Sequence, residues 1–133
     1  MHGLLRRIIT GHFRVIFSPG LVYGIAAEDE IEVWGEGEFK VTRRGGNLAV
    51  RVFSEQPIRG ICDRLIERVS SELGGRMDGE PKNVMAFTGP VSATFSAVEA
   101  VFEAFANRIS SVVWEYWNVY DQEGNPLNWW ARA

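Results

Sequence analysis

Residues 47–75, NLAVRVFSEQPIRGICDRLIERVSSELGG, decide the fold, because the spacing of their apolar residues changes partway along. Up to Phe53 the apolar positions keep the two-residue period of a half-buried strand. After Ser54 they recur about every 3.6 residues, at Ile58, Ile61, Cys62, Leu65, Ile66, Val69 and Leu73, which is the stripe of an amphipathic helix over about 57–73. Pro57 suits the first turn of that helix, and Gly74-Gly75 suits its stop. Its other face pairs Arg59 with Asp63, Arg64 with Glu67 and Arg68 with Glu72 at three- or four-residue spacing, as expected of a solvated surface.

Working back from this stretch, residues 12–53 read as a β-meander with strands at 12–17, 21–26, 30–34, 38–43 and 47–53. Arg44-Gly45-Gly46 is placed to close a tight hairpin between the last two, since consecutive glycines tolerate positive φ. Residues 3–9 fit a strand or a short helix equally well. Working forward, 75–82 reads as a polar loop and 83–87 as a short strand. Pro90 then opens a second helix carrying Val91, Phe95, Val98, Phe102, Phe105 and Ile109 at helical spacing. A strand over 111–120 and a last one over 127–131, confined to an edge by Pro126, complete a C-terminal hairpin. The expectation is one α+β domain over residues 1–133: a largely antiparallel sheet, with an N-terminal meander of about five strands followed by α-β-α-β-β and two helices on one face. The unit 83–120 also suits a parallel crossover within that sheet.

Composition removes several function classes. At 133 residues and 46% apolar, the chain can bury a core without a metal or disulfide staple. A formal charge of −3 lacks the broad positive field of a nucleic-acid binder, although Arg43, Arg44 and Arg51 could form a local basic patch. Charge interrupts the opening apolar residues at Arg6-Arg7, as it would not in a signal peptide, and no run is apolar enough to span a membrane. The one cysteine, Cys62, falls on the apolar stripe and reads as an inert core residue, so a cytoplasmic, reducing setting is expected. His2 and His12 share no register, and no Walker loop, Gly-x-Ser-x-Gly elbow or Gly-x-Gly-x-x-Gly turn is present. Neither a metal, nor a cofactor, nor a catalytic residue is expected.

Two surfaces remain as candidates. The first is the acidic segment Glu28, Asp29, Glu30, Glu32, Glu36 and Glu38, read as a negative strand edge able to steer a basic protein partner. The second is the aromatic C-terminal hairpin, with Trp114, Tyr116, Trp117, Tyr120, Trp129 and Trp130. Trp114, Tyr116 and Tyr120 fall on one strand face and Trp117 on the other, so one covered face cannot hide them all. Such rings suit a homodimer or partner interface, or a small-ligand pocket. Ser54 and Thr88-Gly89-Pro90-Val91-Ser92, at the strand-to-helix junctions, are expected to cap helices rather than hold an anion. The leading expectation is a non-enzymatic interaction module, such as an inhibitor or immunity-like protein for a basic effector. The alternative is a small-molecule binder or minor enzyme with a pocket between sheet and helices, floored by Trp114 and Trp117.

Overall fold

The structure, a computed structural model, describes residues 5–19, 22–35, 38–55, 62–80 and 83–132. The protein is α+β, with the expected meander at its N-terminus, but its strands divide into two antiparallel sheets of four. The first contains β1 (Leu5–Ile9), β2 (His12–Val15), β3 (Glu30–Trp34) and β4 (Glu38–Arg43), in that spatial order. Residues 3–9 thus resolve to a strand where they are described. Residues 22–26, read as a strand, instead form a turn that carries Ile25 into the small core of this sheet beside Val15 and Ile31.

The hairpin expected across Arg44-Gly45-Gly46 is not formed, because β5 (Asn47–Ser54) pairs with β7 and β8 rather than with β4. Gly45 serves a different need. Its N–H donates to Asp29 Oδ1 at 2.9 Å, and a Cβ there would lie 2.5 Å from the backbone of Glu28. The chain can therefore cross from one sheet to the other only by pressing closely against the 28–29 turn.

The second sheet has the order β6 (Arg76–Gly79), β7 (Val84–Pro90), β5, β8 (Val112–Tyr116), with helix α1 (Asp63–Leu73) and helix α2 (Phe95–Arg108) between strands in sequence. Since β5 is antiparallel to both β7 and β8, the latter two run the same way on either side of it, joined by α2. Likewise α1 joins β5 to β6 across β7. This β-α-β-β-α-β path with split crossovers is the ferredoxin-like arrangement. The expected parallel crossover exists, with one antiparallel strand inserted into it.

The main core lies between this sheet and its helices. Leu48, Val50, Val52 and Phe87 meet Leu65, Val69 and Leu73 of α1 and Val98, Val101 and Phe102 of α2. The helical period after residue 62 is thus read correctly, while residues 57–61 of the expected helix, Pro57 among them, lie outside the described residues. Cys62 is buried at the start of α1, where burial first, then Glu80 and Asp63, push its thiol up to about 11. That thiol stays protonated and unreactive. Pro90 ends β7 rather than opening a helix. A 3-10 turn, Val91–Ala93, follows it, and Thr94 caps α2 by accepting from Ala97 N at 3.2 Å.

Two further corrections concern short polar or terminal segments. Residues 76–79, read as loop, are strand β6, held against β7 by Asp78, which accepts from Thr88 and from the backbone N–H of Ser18. The strand expected over 127–131 is replaced by the 3-10 turn Trp129–Arg132, so the C-terminal hairpin is reduced to one bridge, Tyr120 with Pro126. Burial of indole surface wins over strand pairing there: Trp130 packs on Phe95 at 5.1 Å, and Trp129 donates to Asn118 O at 2.8 Å. Among the described residues, no helix is long and apolar enough to cross a membrane.

Candidate functional site

The acidic segment does not form an edge. Strand β3 lies inside its sheet, and its two outward carboxylates each sit between two basic side chains of the neighbouring strands. Glu32 is flanked by His12 at 3.5 Å and Lys40 at 3.4 Å, and Glu30 by Arg14 at 3.8 Å and Arg43 at 3.3 Å. The register dictates these ladders, pairing His12 with Glu32 with Lys40, and Arg14 with Glu30 with Arg43. Asp29 is completely buried. Its carboxylate accepts from Ala26 N at 3.0 Å, Gly45 N at 2.9 Å and Arg44 Nη1 at 3.2 Å, clasping the crossing between the sheets. Burial lifts its carboxyl above the ordinary value, against the lowering pull of those N–H groups and of Arg44. Glu28 and Glu38 are exposed, and Glu36 lies outside the described residues.

The aromatic residues separate into three places. Trp129 and Trp130 seal one end of the main core. Trp117 lies on the sheet face away from the helices, against Tyr23 and Phe53, with the Arg51 guanidinium 4.7 Å from its ring centre. Trp114 and Tyr116 face α2, edge to face at 5.3 Å. Trp114 and Trp117 thus lie on opposite faces of the sheet and do not line one pocket together. A cavity between sheet and helices, lined by Leu48, Val69 and Phe102, holds about 10 Å³, too little for an organic ligand.

Around β8 runs a different cavity. A groove of about 580 Å³ follows the outer side of this strand, lined by Tyr23, Trp114, Tyr116 and Tyr120 together with Glu99, Glu115 and Asp121. The strand positions its own members by alternation: Trp114 and Tyr116 toward α2, Glu115 toward the far face. Helix α2 supplies Glu99, which accepts from Tyr116 Oη at 3.1 Å, and Glu103, which accepts from Trp114 Nε1 at 2.7 Å. Glu115 accepts from Trp117 Nε1 at 2.7 Å, and Asp121 from the N–H groups of Glu123 and Asn125 at 2.9 Å. Every one of these donors is neutral. Arg51 lies opposite Glu115 in the register, yet it stacks on Trp117 instead, and no ion pair joins it to Glu115 among the described residues. The negative charge is felt by the phenols. Tyr23 is raised by burial, then by Glu115 and Asp121, and Tyr116 by burial, then by Glu99 and Tyr120.

Glu99, Glu103, Tyr23 and Asp121 were not among the residues singled out from sequence. A signal for two of them existed: Glu99 and Glu103 are four residues apart on α2, with no Lys or Arg three or four positions from either. A second depression, about 300 Å³ between α1 and α2, carries Arg64, Arg68 and Arg108 on its rim, and Arg68 is tied to Glu72 at 2.6 Å. Among the described residues, no three His, Cys, Asp or Glu side chains gather to hold a metal ion.

These features define a two-sheet α+β protein whose ferredoxin-like half bears an acidic aromatic groove at its edge. The chain belongs to the family described as Domain of unknown function (DUF4265), which matches residues 5–113. No curated protein matches it. A solved structure of a hypothetical protein from Neisseria gonorrhoeae is similar over 81% of this chain and 75% of its own, with a TM-score of 0.62 and 12% identity. That likeness extends to the fold.

Proposed function

We propose that this chain is a small non-catalytic interaction module that takes a basic segment of a partner protein in the groove beside β8. One observation carries the reading: Glu99, Glu115 and Asp121 converge among four aromatic rings, and their hydrogen-bond donors are all neutral. Carboxylates left without cations favour an incoming Lys or Arg, and the ring faces add cation–π attraction once water is displaced. An inhibitor of a basic effector would use such a surface. The partner class is the one expected from sequence, and its site moves from β3 to β8.

The test is titration of a peptide repeating valine, arginine and lysine, at low and high salt. Binding is expected to weaken with salt, and to fall at least about tenfold in the Glu99→Gln/Glu115→Gln variant, the loss of two charge contacts. Glu30→Gln/Glu32→Gln should stay within about twofold, since those charges are already compensated. Equal weakening by both pairs would refute the assignment. A second reading, a small organic cation held against the groove-facing surface of Trp114 and Tyr116, is favoured by a groove volume of about 580 Å³. It predicts that a quaternary ammonium probe raises the melting temperature while the peptide fails to bind.

A further inference from the structure

The four outer strands of the two sheets are finished differently. Strand β1 carries Arg6 and Arg7, and β4 carries Lys40 and Arg43, charges of the kind that discourage further pairing. Strand β6 is covered by the chain at 16–18, through Arg76 Nη2 to Ile16 O at 3.0 Å and Ser18 N to Asp78 at 2.7 Å. Strand β8, VVWEY, has no basic residues, and no described strand pairs with its outer side, where Tyr23 and the 120–124 turn stand back across the groove.

Its hydrogen-bonding phase follows from two contacts at its ends. Glu55 N donates to Ser111 O, and Trp117 N donates to Ala49 O, so the Ser111 carbonyl and the Trp117 N–H point at β5, while the Trp117 carbonyl, just past the strand, accepts from Gly24 N at 2.6 Å. In an antiparallel ladder that orientation alternates, so Val113 and Glu115 also face β5 while Trp114 and Tyr116 turn their N–H and C=O outward. No described strand pairs with that side. The outward groups open into the groove, whose acids lie on both sides of the strand: Glu99 toward the helices and Glu115 toward the far face.

We propose that the partner's basic segment adds to β8 as a fifth strand, hydrogen-bonded to the main chain of Trp114 and Tyr116. This rests on the cationic-groove reading and specifies its geometry. Five residues at about 3.4 Å each give an edge about 17 Å long, enough for one short strand. Main-chain bonds supply affinity and the flanking side chains select, as in other strand-addition complexes. The occupant's positive charge follows from complementarity on both faces. A second copy of this chain would instead set one acidic rim against another, where like charges repel.

The experiment uses the full chain and the valine-arginine-lysine peptide in three forms: unmodified, and N-methylated on each alternate set of amides. Strand addition predicts that one methylated form loses binding by at least about tenfold while the other stays within about twofold, because only one set faces β8. Bound unmodified peptide should slow amide exchange at Trp114 and Tyr116. If both methylated forms bind like the parent, strand addition is overturned, while the charge dependence on Glu99 and Glu115 still upholds the groove. If the parent peptide does not bind, both readings fall. Concentration-dependent dimerisation that protects the same two amides without peptide would assign the edge to a second copy and overturn the proposal.

Discussion

The carboxylates of β3 and those around β8 are chemically alike and differently placed. On β3 each glutamate is an inner rung, bracketed by basic side chains from β2 and β4. Around β8 the acids come from an edge strand, a helix and a turn, and their partners are indoles, a phenol and backbone N–H groups. Density of acid along the chain therefore says little about surface potential. The first group is denser in sequence and compensated in space, while the second is scattered in sequence and left negative.

Three changes would break or sharpen this contrast. The largest effect is expected from Asp29→Ala, which removes the clasp between the sheets and leaves Arg44 and the N–H groups of Ala26 and Gly45 without their shared acceptor. Breaking a buried charged contact of this kind costs about 3 kcal/mol, readable by urea unfolding. A loss below about 0.5 kcal/mol would place Asp29 with the surface acids instead.

The next is a pH dependence. Burial raises Asp29 above its ordinary 3.8 in the folded chain, so the native state holds that proton longer than the unfolded one. The stabilisation from this group is complete below 3.8 and is lost as pH rises through the folded value. Relative to Asp29→Asn, the unaltered chain should thus lose stability as pH is raised from 3.8, and a flat difference would contradict the burial argument.

The smallest effect is expected for Glu30→Gln and Glu32→Gln. Partly exposed ion pairs are worth little, so each should shift unfolding free energy by less than about 0.5 kcal/mol. A larger loss would show that the β3 ladders hold the sheet together.

The fold was legible where one physical rule dominated. The helical stripe through Leu65, Val69 and Leu73 and the alternation of Ile31 and Val33 both reflect a single buried face, and both are found as read. Rules that compete were not resolved from sequence. Gly45-Gly46 suits a hairpin by local preference, but Gly45 is needed for a close backbone approach to residue 28, a distant contact that leaves no local mark. Strand β6 escaped notice because RMDG has one apolar side chain, and its place depends on Asp78 accepting from Ser18 and Thr88. The candidate groove was half legible. The aromatic residues of β8 stood out by composition, whereas Glu99 and Asp121 belong to the groove only because α2 and the 121–125 turn are folded beside it.

The placement of β5 between β7 and β8 also sets the order in which the molecule can be made. Val50 must find both Phe87 and Tyr116, so the second sheet cannot close until residue 116 has emerged from the ribosome. Contacts so remote in sequence are slow to form, and a central strand waiting for its neighbours is a template for wrong pairing. The first sheet, closed largely by nearby segments, can be complete well before then. Synthesis thus passes through a stage in which the first sheet is tethered to an unpaired NLAVRVFS segment, whose main-chain groups stay open to wrong pairing until β7 and β8 follow.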